Sequence, residues 1–208
     1  MEEVIKRIKD EIGGSLLVAV SKTKSNEEIM KCYNLGVRDF GENYVQELVK
    51  KMDSLPKDIR WHMIGHLQTN KVKDIVSRNI YLIESVDSIK LANVINKEAI
   101  KNNKTVNILI EVNIANESSK TGCNVEDLDS LVNGVIGLSN VNLVGLMAIG
   151  DHSDDETLIR ASFKKMKELK DKYNLEYLSM GMSSDYKIAI EEGSNIVRIG
   201  TLIFGSRY

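Results

Sequence analysis

Cysteine, proline and aromatic residues are scarce in this chain of 208 residues. It contains two cysteines and one proline, and aromatic residues make up 5% of it. Cys32 and Cys123 stand alone, with no CxxC pair and no metal-binding spacing to His62, His66 or His152. Isolated cysteines are typical of reduced, cytosolic proteins rather than of disulfide frameworks. The scarcity of proline also leaves no proline-rich linker between domains.

An excess of one charge and a long apolar run are missing as well. The formal net charge is −2 and the isoelectric point is near 6.0, which argues against nucleic acid as the main partner. The first apolar run, Leu16–Val20, is too short for a signal peptide core or a membrane span. The preceding MEEVIKRIKDEIGG has the pattern of a charged amphipathic helix. We therefore expect a cytoplasmic globular protein without a membrane partner.

What is present is a regular alternation of short apolar runs and helical patterns. The predicted strands are Leu16–Val20, Arg38–Gly41, Arg60–Ile64, Tyr81–Ser85, Val106–Asn113, Leu143–Ala148, Tyr177–Met180 and Ile196–Ile199. Each strand but the last is followed by a predicted helix, and one more helix precedes the first strand. Such alternation indicates a parallel sheet. We predict an α/β fold in which residues 1–208 form a single (β/α)8 TIM barrel domain.

The competing architecture is a doubly wound open sheet. That fold usually has a glycine-rich turn after its first strand. Here the first strand continues into Ser21-Lys22-Thr23-Lys24, which contains no glycine. The barrel is therefore the favoured interpretation.

Lys22 lies at the predicted end of the first strand, where barrels place their active sites. A buried lysine costs free energy unless it is paired or neutral, and a desolvated amine suits Schiff-base chemistry with an aldehyde. The alternative is a structural lysine whose ammonium group reaches solvent from the strand end. We expect Lys24 to be solvated, because it opens the loop before a helix cap at Ser25.

Small polar turns follow the seventh and eighth predicted strands. The first, GMSSD, offers a glycine, the hydroxyl groups of Ser183 and Ser184, and the start of a helix; the second is Gly200-Thr201. Barrels often build phosphate sites there from backbone N–H groups. Ser184 or Asp185 would equally serve as a helix cap with no ligand at all. The two turns together favour a phosphate site.

Arg198 lies inside the apolar strand IVRI, where an arginine needs a partner. It either donates to an acceptor atom on a bound ring or anion, or pairs with a carboxylate inside the barrel, such as Glu42 or Glu111. His62, which lies on a strand beside Trp61, has the pattern of a core histidine with its hydrogen bonds satisfied.

Seven motifs in order carry a resemblance to a known family: AVSKTK, FGENYVQE, WHMIGHLQTNK, VNIANESSKTG, GLMAIG, LSMGMSSD and VRIGTLIFG. From about Leu16 to Gly205 the chain resembles the pyridoxal phosphate homeostasis protein family, also called the YggS/PROSC family. The resemblance implies a barrel of the alanine-racemase type (PLP fold type III) that lacks the C-terminal β domain of the racemases. It also implies pyridoxal 5′-phosphate (PLP) as the cofactor.

The resemblance implies eight cofactor-binding residues: Lys22, Asn43, Ile64, Met147, Ser183, Arg198, Gly200 and Thr201. Lys22 would hold PLP as a Schiff base. Arg198 would face the pyridine nitrogen without protonating it, which makes the ring a weaker electron sink than a carboxylate partner would. Ser183, Gly200 and Thr201 would hold the phosphate group.

The remaining implied residues surround the cofactor. Asn43 would line the pocket, and Ile64 and Met147 would pack around the ring. The chain departs from the family at His66, where proline is common, and its segment before the first strand is short.

The resemblance implies a protein of intracellular PLP (vitamin B6) homeostasis that holds the cofactor and limits free aldehyde without obvious turnover. We expect a monomer, with PLP-dependent apo-enzymes as candidate recipients. Because the sequence ends at Tyr208, we expect no second domain of the kind that gives alanine racemases a catalytic tyrosine. Two alternatives are a one-domain PLP-dependent amino-acid racemase of low activity, and a barrel that binds another phosphorylated metabolite with Lys22 as an ion-pairing residue.

Overall fold

The computed structural model describes residues 1–114, 121–150 and 155–205, and their strands close into a barrel. In chain order the strands are β1 (Leu16–Val20), β2 (Asp39–Glu42), β3 (Arg60–Met63), β4 (Leu82–Val86), β5 (Val106–Asn113), β6 (Cys123–Asn124), β7 (Val141–Met147), β8 (Tyr177–Ser179) and β9 (Ile196–Ile199). They run parallel in the order β4-β3-β2-β1-β9-β8-β7-β5-β6. A further β4–β5 pairing closes the ring, with the short β6 outside it beside β5. The predicted eight-stranded barrel is confirmed.

Helices separate the strands and cover the outside of the barrel. Those of the described residues are α1 (Glu2–Ile12), α2 (Asn26–Asn34), α3 (Val45–Ser54), α4 (Val72–Val76), α5 (Ile89–Lys101), α6 (Leu128–Ile136), α7 (Glu156–Lys172), α8 (Tyr186–Glu191) and α9 (Thr201–Phe204). Several begin at a side-chain cap: Ser25, for example, accepts from the backbone N–H of Glu28, and the Glu28 carboxylate accepts from that of Ser25. Such a capping box satisfies N–H groups that the first helical turn leaves without partners.

Two elements escaped the sequence-based prediction, namely β6 and α9. The prediction placed no helix after the last strand, and this was wrong, because α9 follows β9 directly. α9 has four residues and β6 has two. Segments this short cannot display a period of 3.6 or 2.0 residues, so periodicity gave no signal for them.

The apolar core has two layers, one on each face of the barrel wall. The larger layer lies between the strands and the helices. The smaller one lies inside the barrel and consists of Val18, Leu82, Leu109, Met147 and Ile196. Successive residues of a strand point to opposite faces, so one strand supplies both layers. Val18 and Ala19 of β1, for example, belong to different layers.

Within residues 1–114, 121–150 and 155–205, no helix is both long enough and apolar enough to cross a lipid bilayer.

We expect both cysteines to be inert in the folded protein. Cys32 and Cys123 are free and buried, and burial raises the pKa of Cys32 to about 12 and that of Cys123 to about 11. Because the thiolate is the reactive form, iodoacetamide should label neither residue in the native state and both after unfolding in guanidinium. Peptide mass spectrometry measures this, and rapid labelling of the native protein would contradict the buried placement.

Candidate functional site

A cleft opens at the carboxyl end of the barrel, where β1, β8 and β9 end. Its volume is about 340 Å³, within the range of roughly 300–1,000 Å³ that small-molecule sites occupy. The described residues that line it are Val20, Lys22, Lys24, Met182, Ser183, Ser184, Arg198, Gly200, Thr201, Phe204 and Gly205. Five of the residues predicted to bind a cofactor are therefore brought together: Lys22, Ser183, Arg198, Gly200 and Thr201.

Lys22 reaches the cleft because β1 alternates between the two faces of the barrel wall. Val18 faces the interior, and Val20 and Lys22 follow it at intervals of two residues and line the cleft. Lys22 itself is half-buried. A primary amine thus lies at the mouth of the barrel interior, partly withdrawn from water.

Lys24 does not lie in open solvent, and the prediction that it is solvated was wrong. It lines the same cleft, and its side chain is 18% exposed. Its ammonium group donates to the carbonyl oxygen of Phe204 at 3.3 Å and lies 3.3 Å from a carboxylate oxygen of Glu28. The reason is α9, which brings Phe204 over the loop after β1.

The charge of the cleft favours an anionic ligand. Lys22, Lys24 and Arg198 supply three cationic side chains, and none of its described lining residues carries a carboxylate. Charges of one sign in a cleft with low-dielectric walls raise the local concentration of ions of the opposite sign.

The loops after β8 and β9 meet on one side of the cleft. The Ser183 hydroxyl accepts a hydrogen bond from the backbone N–H of Leu202 at 3.4 Å, which joins the two loops. The first loop turns tightly at Gly181, whose φ is +94°. A Cβ there would lie 2.5 Å from that of Ala189, so this turn requires glycine. The second loop leads into α9, and the first N–H groups of a helix have no partner within it.

Arg198 is held from behind by a chain of buried polar side chains that crosses the barrel interior. The guanidinium group of Arg198 donates to the Ser179 hydroxyl at 2.6 Å and to the carbonyl oxygen of Ala148 at 2.9 Å. Ser179 in turn donates to Glu84 at 2.5 Å. Glu84 lies 2.7 Å from Nδ1 of His62. These contacts fix the guanidinium group in one orientation toward the cleft.

This chain of buried polar side chains continues to the opposite end of the barrel. Nε2 of His62 lies 3.1 Å from Asp39, and Asp39 also accepts from Arg60 at 2.7 Å. Arg60 is exposed, so the chain runs from solvent at the amino end of the strands to the cleft at the carboxyl end. His62 is indeed a fully buried core histidine with partners on both ring nitrogens.

The carboxylate partner of Arg198 differs from those considered from the sequence. Arg198 lies 3.9 Å from Glu84, whereas Glu42 pairs with Lys51 and Glu111 accepts from Thr121. The alternative of a carboxylate inside the barrel is therefore met by Glu84, while Glu111, one of the two examples named from the sequence, acts on Arg198 only through its charge. Which carboxylate lies nearest depends on which strands face each other across the closed barrel.

The side chains of this hydrogen-bonded chain alternate in charge, and this alternation explains the shifts in their pKa values. Burial alone would lower the pKa of His62, but its hydrogen bonds to Asp39 and Glu84 raise it above the ordinary value. Burial alone would raise the pKa of Glu84, but the hydrogen bond from His62 and the charges of His62 and Arg198 bring it below the ordinary value. The pKa of Asp39 is lowered in the same way. An imidazolium group between two carboxylates is the arrangement that these shifts favour.

Three of the residues predicted to contact the cofactor do not line the cleft. Asn43 is half-buried and opens onto a neighbouring hollow beside His66. Its side-chain oxygen is buried without a hydrogen-bond partner among the described residues. Ile64 lies against Gly41 on the inner wall, and Met147 is fully buried in the inner apolar layer. Their roles beside a ligand stay predictions.

Sequence reasoning missed Glu84, Ser179 and Lys51. Glu84 could have been found by the signal that identified Arg198, since it is a charged residue inside an apolar strand, LIESV. A serine in a strand and a lysine in the amphipathic helix α3 carry no comparable signal.

Comparison with known proteins agrees with the barrel. The model of the alanine racemase N-terminal domain matches residues 1–208. The pyridoxal phosphate homeostasis protein of Aquifex aeolicus is 46% identical over 198 residues, which cover 92% of this chain and 86% of that protein. The structure of PipY from Synechococcus elongatus, determined with PLP bound, superposes with a TM-score of 0.89 at 30% identity and covers 98% of this chain and 99% of that one.

A more distant structure shares the fold alone. The alanine racemase of Corynebacterium glutamicum superposes with a TM-score of 0.78 at 13% identity, and the match covers 99% of this chain and 60% of the racemase. The likeness to the homeostasis proteins is far closer and extends over most of both chains. The chain therefore belongs to the pyridoxal phosphate homeostasis protein family, which is built on the alanine racemase N-terminal domain.

Proposed function

We propose that this protein binds PLP in the cleft at the carboxyl end of its barrel and serves intracellular PLP homeostasis by holding and releasing the cofactor. One observation carries the proposal: Lys22, Arg198 and the two loops after β8 and β9 line a single cationic cleft. The names of the curated relatives and the PLP-bound PipY structure support it.

The residues present suit the chemical groups of PLP. Its aldehyde calls for a primary amine, which Lys22 supplies at the rim of the cleft. Its pyridine nitrogen is an acceptor, and Arg198 carries only donors. Its phosphate dianion calls for N–H groups, hydroxyl groups and cations, which Ser183, Gly200 and Thr201 offer together with the nearby lysines.

PLP, when bound, supplies a reactive aldehyde carbon. Lys22 would first lose its ammonium proton to solvent. The neutral amine would then condense with that carbon, so that a C=N bond forms and one water molecule leaves. Arg198 would donate a hydrogen bond to the pyridine nitrogen but keep its proton, because a guanidinium group stays charged in proteins. The ring would then withdraw electrons weakly, which suits a carrier better than an enzyme that stabilises a carbanion.

We further propose that residues 1–208 act as one PLP-binding domain, as a monomer in the cytoplasm, and that PLP-dependent apo-enzymes receive the cofactor. The single domain is supported by the one closed barrel that the described residues form and by the family model that matches residues 1–208.

Absorption spectroscopy with borohydride trapping tests the proposed function. We expect purified protein to develop a near-visible band with equimolar PLP, and borohydride to bleach it and leave a covalent label on Lys22 in peptide mass spectrometry. Pyridoxine 5′-phosphate, which lacks the aldehyde, should bind without label or band. Loaded protein should restore activity to a PLP-dependent apo-enzyme.

The alternatives give different results in the same experiment. A protein that develops no band and takes up no label would refute PLP as the ligand and favour another phosphorylated metabolite. Sustained racemisation of alanine by the loaded protein would replace the carrier function with that of a one-domain racemase.

A further inference from the structure

Lys22 occupies the corner of a tight turn at the end of β1. The backbone N–H of Lys24 donates to the carbonyl oxygen of Ser21 at 3.0 Å, so Lys22 and Thr23 are the two central residues of the turn. Thr23 has a φ of +66°, in the left-handed region that β-branched residues rarely adopt. Backbone strain of this kind persists only where surrounding contacts determine the conformation.

Those contacts come from a group of charged side chains, Glu42, Glu47 and Lys51, here called the Lys51 cluster. Glu42 and Lys51 are buried and Glu47 is partly exposed. Lys51 is 5% exposed, and its ammonium group has partners on three sides. It lies 2.8 Å from Glu42 and 2.7 Å from Glu47. It also donates to the carbonyl oxygen of Ser21 at 2.8 Å. The cluster therefore joins β2 and α3 to the first residue of the turn.

The cluster holds the backbone on both sides of Lys22. Before it in the chain, the Ser21 hydroxyl donates to Glu42 at 2.5 Å. After it, the backbone N–H of Thr23 donates to Glu47 at 2.6 Å. Lys22 is thus flanked by two residues that are each hydrogen-bonded to the same cluster.

We propose that the Lys51 cluster is a positioning device that fixes the turn so that the Lys22 amine points into the cleft. The proposal rests on the proposed function in one respect, namely that Lys22 is the amine that reacts with PLP. Stability alone does not account for the cluster, because buried ion pairs contribute little compared with apolar side chains of similar volume. Its contacts with Ser21 and Thr23 give it a task that apolar side chains could not perform.

The test separates the rate of covalent capture from the affinity for the cofactor. Glu47→Ala removes the acceptor of the Thr23 N–H and leaves the buried Glu42–Lys51 pair in place, so the variant should fold. We expect the rate of borohydride-trapped labelling of Lys22 by PLP to fall by about tenfold, since small displacements of a reacting group have large kinetic effects. The affinity for pyridoxine 5′-phosphate should stay close to that of the unmodified protein.

Two matched controls and a rescue sharpen the result. Gln46→Ala removes the exposed side chain of α3 next to Glu47, and Lys50→Met is the exposed counterpart of Lys51→Met. Both controls should capture PLP at the original rate. Lys51→Met should capture PLP slowly. Adding Thr23→Gly to Glu47→Ala should restore part of the rate, because glycine adopts a positive φ without strain. A purely structural role of the cluster predicts no such rescue.

Hydrogen exchange of the Thr23 amide gives a readout that needs no cofactor. We expect faster exchange in Glu47→Ala than in Gln46→Ala, at equal global stability. Failure of the unmodified protein to capture PLP would refute the proposed function, and the exchange measurement would still decide whether the cluster holds the turn. Unchanged exchange, or equal capture rates in Glu47→Ala and the unmodified protein, would overturn the positioning role.

Discussion

Lys22→Ala should abolish the covalent capture of PLP completely. Alanine has no amine, and condensation with the aldehyde needs an uncharged amine that can reach the carbon. After incubation with PLP and borohydride, intact-mass spectrometry should show the mass of unlabelled protein. The near-visible band should be absent at every PLP concentration that saturates the unmodified chain.

Lys24→Ala is the matched control for this experiment. Lys24 lies two residues further along, lines the same cleft and is also cationic. Its loss should weaken PLP binding through the reduced positive charge, yet leave the label on Lys22 intact. Transfer of the label to Lys24 in the Lys22→Ala variant, at the original rate, would contradict the assignment of Lys22.

Lys22→Arg separates the two roles that the sequence leaves open for this residue. Arginine keeps the cation but does not condense with an aldehyde under these conditions. If Lys22 is the reacting amine, this variant should lose the label and still bind pyridoxine 5′-phosphate. If Lys22 only pairs with a phosphate group, the unmodified chain should take up no label and Lys22→Arg should bind PLP equally well.

Glu84→Ala should be strongly destabilising, by about 3–5 kcal/mol in the free energy of unfolding, because it leaves buried charges without their partner. Glu84 is fully buried and contacts both His62 and Ser179. Asp53→Ala is the control, since Asp53 pairs with Arg78 at 2.9 Å on the surface, where its side chain is 57% exposed. That change should cost about 0–1 kcal/mol.

Denaturant unfolding of the variants over a range of pH gives the second readout. The raised pKa of His62 means that its contribution to stability is complete below its ordinary value of 6.5 and is lost as the pH rises through its folded value. The lowered pKa of Glu84 means that its contribution is complete above its ordinary value of 4.5 and is lost as the pH falls through its folded value.

The difference in stability between the unmodified protein and Glu84→Ala should therefore be largest between pH 4.5 and 6.5 and decline on both sides. A difference in the free energy of unfolding below about 1 kcal/mol throughout that pH window would show that the buried polar side chains do not carry the charges assigned to them.

The strand positions were predictable because they depend on local patterns. β1 and β5 are apolar runs bounded by polar turns, and Ser25 with Glu28 is a capping box whose spacing alone identifies a helix start. Lys22 attracted attention because it follows the end of an apolar strand, and Arg198 because it interrupts one. Strand alternation then predicts which of their neighbours share a face.

The sequence by itself thus determined the order of the longer elements, the parallel barrel, the strand ends that carry Lys22 and Ser183, and the strand that carries Arg198. Only the tertiary structure decided that Arg198 turns to Glu84, that Lys24 lines the cleft and that Lys51 holds the turn around Lys22. Periodicity, helix capping and turn chemistry depend on residues that are a few positions apart, so they can be recognised in a single sequence. Which side chains meet across a closed barrel depends on strand register and on helices packed from distant segments. These contacts form only once the ring of strands has closed.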